Sequence, residues 1–313
     1  MQPLVVICRN ASRRFVVHRL ALALALLCAA ALLADGPAPP KTRTDNVTDV
    51  LHGVDVPDPY RWLEDQKSPE TRAWIEAQNV YTQSLLGTVP GQEALTRRLT
   101  ELMKIDVMGA PTVREGRYFF SKRLASQDLP VLYIRRGLQG KDEVLIDPHP
   151  LSADKRTTVN FAGLSRDGTL MAYAIRQGGE DETTIHLMEV DSGKTLPDKL
   201  PRGRWGGASF LPDKRGFYYS RNGPPGPRIF FHTLGADPTH DTEIFGKGLG
   251  VDKLLSARVS ESGRYLLVLL MHGSAGKTEL YFQDLVKKSA IQPLVTDVDA
   301  HFYGQFGGDR VFI

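Results

Sequence analysis

The sequence predicts a mainly β protein, an incomplete β-propeller entered through a short helical segment. Three observations carry that expectation. A turn-and-strand unit recurs along most of the chain, glycine (29) and proline (20) are abundant, and only two stretches, both ahead of the repeats, have helical periodicity. Many turns and short strands at a steady period are the signature of radial repetition.

The repeat is a glycine-containing turn, a β-rich run, a loop and another β-rich run. It appears as Arg114-Glu115-Gly116 before Arg117–Phe120, with Val131–Ile134 following. It returns as Ser165-Arg166-Asp167-Gly168 before Leu170–Ile175, then Pro212-Asp213-Lys214-Arg215-Gly216 before Phe217–Tyr219, then Ser260-Glu261-Ser262-Gly263 before Tyr265–Leu267. A fifth copy begins at Gly307-Gly308-Asp309. Gly116, Gly168, Gly216, Gly263 and Gly308 are spaced by 52, 48, 47 and 45 residues. Each glycine is expected to supply the left-handed residue of a tight turn. The alternative is a β-sandwich with accidental spacing, which near-constant intervals disfavour. About four blades leave open strand edges, and the chain stops within the strand-like run Val311-Phe312-Ile313, which reads as a truncation.

Ahead of the repeats, residues 1–34 read as an export signal. They hold Arg9, Arg13, Arg14 and Arg19, no acid, and an apolar run from Leu20 to Leu33. That run is short for a membrane span but suits a signal core, with cleavage expected near Ala31 or Ala34. The expected location is periplasmic or secreted, with membrane contact only through an uncleaved signal. Cys8 and Cys28, the only cysteines, lie in this segment, so a mature chain would have neither disulfide nor thiol nucleophile. The body is close to charge balance and lacks a basic stripe, which argues against nucleic acid as a partner.

Residues 35–44 form a proline-rich linker. Residues 45–108 form the helical segment. Ser68-Pro69-Glu70 is a helix start, with serine as N-cap and proline at the first position. Trp74, Ala77, Tyr81 and Leu85 follow at helical spacing to Gly87. A second helix is expected over Glu93–Lys104, with Leu95, Leu99, Leu102 and Met103 on one face that needs a partner. Residues 109–313 form the partial propeller.

Within this frame, Asp58-Pro59-Tyr60-Arg61-Trp62-Leu63-Glu64-Asp65 resembles the opening signature of the prolyl oligopeptidases. Thr71, Trp74 and Gln78-Asn79 match the helix that follows it in that family. Ser165–Gly168, Ala172-Tyr173 and Leu196-Pro197-Asp198 resemble its later motifs. The resemblance implies a propeller of a seven-bladed type that restricts access to a C-terminal α/β-hydrolase domain. That domain carries serine, aspartate and histidine and cleaves short peptides after proline. The helices of residues 69–104 would then pack on the hydrolase domain. The resemblance also places Trp205 and Leu254 at peptide-contacting positions, and Met271 where the family has an arginine that contacts the peptide backbone. Proline-containing oligopeptides and the absent hydrolase domain are the implied partners.

No G-x-S-x-G nucleophile turn occurs in the chain, so the α/β-hydrolase domain is expected to be absent and the chain inactive alone. Gly273-Ser274-Ala275-Gly276 is the nearest look-alike, with His272 beside it, and reads as a hairpin loop without an orienting acid. The other histidines lack metal-ligand spacing, and no phosphate-binding glycine loop is present, so neither metal nor cofactor is expected. The readings left open are the gating propeller of an exported serine endopeptidase, a non-catalytic peptide- or partner-binding propeller, and a gene fragment that does not fold stably.

Overall fold

Alternation along short strands, each second side chain facing one neighbour, sets the architecture. The computed structural model describes residues 37–273 and 276–313, with the backbone alone at 205. The export-signal reading, both cysteines and Ser274-Ala275 lie outside the described residues. The chain divides into two units at 102/103.

In the first unit, β1 (Thr48–Leu51) and β2 (Val54–Pro57) form a hairpin. Its turn residues His52 (φ 53°) and Gly53 (φ +79°) are both left-handed, as the tightest hairpins require. Helix α1 runs Pro69–Leu86 and α2 Gln92–Met103. The aromatic signature holds α1 in place: buried Thr71 donates to the Trp62 carbonyl at 3.2 Å, and Trp62 meets Trp74 edge-on at 6.3 Å. Ser68 has an extended backbone before α1 but makes no side-chain cap bond, and Gly87 ends the helix in the right-handed region. The start and stop positions were readable in sequence; the expected cap chemistry is absent. Leu95, Leu99 and Leu102 on α2 are at least half exposed.

The second unit is a run of antiparallel blades, four strands wide, with the first position of blade I split into two short strands. Blade I comprises β3 (Val107–Met108) and β4 (Thr112–Arg114), both paired with β5 (Arg117–Arg123), then β6 (Val131–Arg136) and β7 (Asp142–Ile146). Blade II comprises β8 (Thr158–Leu164), β9 (Leu170–Arg176), β10 (Thr183–Glu189) and the first half of β11 (Lys194–Phe210). The second half of β11 is the inner strand of blade III, followed by β12 (Gly216–Asn222), β13 (Arg228–Thr233) and β14 (Thr242–Phe245). Blade IV is β15 (Leu254–Val259), β16 (Tyr265–Met271), β17 (Thr278–Asp284) and β18 (Gln292–Val295). A hairpin, β19 (Gln305–Gly307) and β20 (Arg310–Phe312), opens a fifth blade. This is the incomplete propeller expected from the repeat. Among the described residues no helix is long and apolar enough to cross a membrane.

Each interface between blades is a hydrophobic core built by alternation. Phe119, Leu132 and Ile134 of blade I meet Met171, Tyr173 and Met188 of blade II. Ala172, between Met171 and Tyr173, faces the other way, into a core with Phe210, Phe217 and Tyr219 of blade III. Tyr218, Ile229 and Leu211 of blade III pack on Leu255, Leu266 and Val268 of blade IV. A one-residue slip would exchange these two faces, so burial on both sides fixes the register.

The turn glycines behave as expected at Gly116, Gly168, Gly263 and Gly308, all with positive φ. Gly216 corrects that expectation. The left-handed residue of the third turn is Lys214 (φ 57°), two positions earlier. Gly216 already belongs to β12 and is required for space, because a Cβ there would overlap the carbonyl of His232.

Candidate functional site: the far end of the inner strands

Every first turn of a blade lies at one end of the inner strands, here called the turn end. Its side chains link blade to blade. Arg117 of blade I reaches Asp191 of blade II at 2.7 Å. Lys214 of the third turn donates to Asp167 of the second at 2.6 Å. Ser262 of the fourth turn donates to Asp309 of the fifth. Asp167 also accepts from Ser165 Oγ (2.7 Å) and from the backbone and hydroxyl of Thr169. Burial works to raise its pKa, but the Lys214, Ser165 and Thr169 hydrogen bonds outweigh it and hold the carboxyl well below the usual range. The Ser165-Arg166-Asp167-Gly168 turn is thus a structural lock.

A groove of about 640 Å³ runs along the inner strands of blades I to IV, lined by Val113, Gly163, Ala208, Ser209 and Val259 among others. Its walls come close because Gly163 lacks a side chain; a Cβ there would overlap the Ala208 carbonyl.

The sequence-derived candidates lie at the opposite end of these strands. Leu254 and Met271 are direct cross-strand partners at the ends of β15 and β16, which puts them side by side on one face. Leu254 is 39% exposed and Met271 half-buried. Trp205 lies one blade away, in the inner strand of blade III, with its backbone in register with Arg221. The two strands touch there: Asn222 Oδ1 accepts from the Leu255 N–H at 3.0 Å, and a Cβ on Gly206 would stand 3.1 Å from the Leu255 carbonyl. The structure therefore gathers the three positions at the seam of blades III and IV, Leu254 and Met271 as a pair and Trp205 across the seam.

Beside Met271, sequence reading missed a cluster. His272 Nε2 lies 3.0 Å from Glu279 Oε1, so the orienting acid judged missing is present. Glu279 also accepts from Tyr281 (2.7 Å) and pairs with Lys277 (3.1 Å). Burial works to raise the Glu279 pKa, yet its three partners together lower it. Burial, then the Glu279 contact, pushes the Tyr281 phenol up to about 12. The available signal was the i, i+2 spacing of Lys277, Glu279 and Tyr281, which puts all three on one strand face. A second polar cluster lies inside the blades. Fully buried His232 sits between Asp241 (2.8 Å) and Asp198 (3.1 Å), and Asp241 accepts from Tyr219 at 2.8 Å. The cluster ties blade II to blade III. Among the described residues no group of His, Cys, Asp or Glu could hold a metal ion.

Strands in radial repeats, cores between the blades and a groove along the inner strands define a β-propeller. The comparisons supply the family. Residues 39–313 match the family model described as the prolyl oligopeptidase N-terminal β-propeller domain. The chain is 31% identical over 287 residues to the prolyl endopeptidase of Elizabethkingia meningoseptica, covering 88% of this chain and 40% of that protein. It is 26% identical over 238 residues to dipeptidyl aminopeptidase BI of Pseudoxanthomonas mexicana, covering 69% of this chain and 33% of that one. Among solved structures, one from a mechanistic analysis of two prolyl endopeptidases superposes with a TM-score of 0.78 at 33% identity, covering 88% of this chain and 42% of that chain. The chain belongs to the prolyl oligopeptidase family, and it carries the N-terminal β-propeller domain. It spans about two-fifths of the length of the first of these relatives.

Proposed function

We propose that this chain supplies the substrate-gating propeller of an exported serine endopeptidase that cleaves short peptides after proline. In this reading the far end of the inner strands faces a hydrolase domain, and the exposed apolar face of α2 packs on that domain. Leu254 and Met271 offer apolar contact to an extended peptide, and Trp205 an aromatic one. The observation that carries the reading is the gathering of these three positions at one seam, within a match to the family's propeller that extends from residue 39 to 313. The chemistry belongs to the hydrolase domain: serine attack assisted by histidine, with an oxyanion hole holding the tetrahedral intermediate.

The purified chain is expected to bind a proline-containing oligopeptide and leave it intact. Hydrolysis by this chain, blocked by a serine-directed inhibitor, would overturn the assignment of catalysis to another domain. Failure to bind such peptides would overturn the peptide-contacting role of the seam.

A further inference from the structure

Among the described residues, Ser220 Oγ is a buried side-chain oxygen without a hydrogen-bond partner. Ser220 is 1% exposed and sits in the middle of β12. Other buried serines in this chain are bonded: Ser165 Oγ accepts the Leu170 N–H at 2.9 Å, and Ser260 Oγ the Tyr265 N–H at 3.1 Å. An orphaned hydroxyl is destabilising, and alanine, nearly the same size, would remove the penalty.

The orphan has a local cause. The β11–β12 register runs Trp205 to Arg221 and resumes at Ala208 to Tyr219, so Gly206 and Gly207 together face Ser220. Two residues opposite one make a β-bulge, which disrupts the ladder and re-aims the strand beyond it. The two glycines are required for different reasons. A Cβ on Gly206 would fall on Ser220 Oγ, whereas Gly207 has φ +94° and stands against the Ala162 carbonyl of blade II. The strand beyond this bulge is the one that carries Trp205.

We propose that Ser220 is a positioning residue for Trp205. The bulge is the joint at which the Trp205 end of β11 shifts when peptide is bound, and the Ser220 hydroxyl bonds to the bulge backbone in the bound arrangement. The inference rests on the peptide-contacting role of Trp205 proposed above. A group unsatisfied in the free protein and satisfied in the complex favours the bound arrangement, the differential interaction that any ligand-driven shift requires.

The test measures thermal midpoint and proline-peptide affinity together in the purified protein, for the wild type, Ser220→Ala and Trp205→Ala. Ser220→Ala is expected to raise the midpoint by about 2–4 °C. The same variant is expected to weaken peptide binding by about fivefold to tenfold. Opposite signs are the signature, since a hydroxyl with a purely structural role would not move the affinity. An unchanged affinity in Ser220→Ala, or a lowered midpoint, overturns the proposal. Should Trp205→Ala bind as tightly as the wild type, the reading of Trp205 fails and this inference fails with it. Weakened binding in Trp205→Ala beside unchanged binding in Ser220→Ala removes the Ser220 role alone.

Discussion

At the turn end of the inner strands, side chains tie blade I to blade II, blade II to blade III and blade IV to the fifth: Arg117 to Asp191, Lys214 to Asp167, Ser262 to Asp309. At the far end, the seam of blades III and IV holds through the Asn222 amide, which accepts from the Leu255 N–H, through the close approach of Gly206, and through the packing of Leu255 in the core between the two blades. That end also carries the bulge, the orphaned Ser220 and the half-exposed Leu254–Met271 pair. The contrast teaches that one blade can be rigid at one end and adaptable at the other, with the division falling within single strands. It yields a rule to break: changes on the locked side should cost stability and spare binding, and changes at the seam the reverse.

The largest expected effect is on stability, from His232→Ala. Removing the imidazole leaves Asp198 and Asp241 buried without their shared partner, a loss of about 3–5 kcal/mol. Denaturant unfolding should report it, and a loss below about 1 kcal/mol would mean that water enters the cluster freely. Next comes the seam. Met271→Arg restores the donor that the family resemblance places there and should tighten binding of a proline-containing peptide by about fivefold. It should leave the unfolding midpoint nearly unchanged; a large drop in that midpoint would show Met271 to be core.

A smaller effect is expected with pH, at the cluster around Glu279. Its carboxyl is depressed in the folded protein, so its contribution is present above the ordinary glutamate pKa and is lost as pH falls through the folded value. Glu279→Gln should therefore flatten the acid limb of the stability profile. Tyr281 has the opposite sign. Its folded value of about 12 lies above the ordinary phenol, so its contribution holds below the ordinary value and is lost as pH rises through about 12. An acid limb unchanged by Glu279→Gln would sink this account. The smallest effect is expected from Lys214→Met. The Lys214–Asp167 pair is about a third exposed, and such pairs contribute about 0–1 kcal/mol. A larger loss would show the turn lock to be stronger than its exposure implies.

Most of the architecture was readable because it rests on periodicity. Gly116, Gly168, Gly263 and Gly308 mark turns by a backbone requirement that glycine meets best, and that requirement is visible in one dimension. Gly216 was misread because glycine can also be required for space. Its neighbour is the His232 carbonyl, sixteen residues further along the chain, and only pairing of β12 with β13 reveals it. The same limit hid Glu279 from His272 and left the orphaned hydroxyl of Ser220 invisible, since both depend on which residues oppose each other across strands. Leu254 and Met271 were named through family resemblance, and their direct pairing came from the register.

The seventeen-residue strand β11 serves as the outer strand of blade II and, past a bulge at Gly206-Gly207, as the inner strand of blade III. A strand held in two sheets cannot detach from one without disturbing the other. Blades II and III are therefore a single cooperative unit of local unfolding, and their amides should exchange with solvent together. Blades I and IV share no strand with a neighbouring blade and can open by themselves. The propeller is thus a mosaic in which repeat boundaries in the sequence and cooperative boundaries in the folded chain do not coincide.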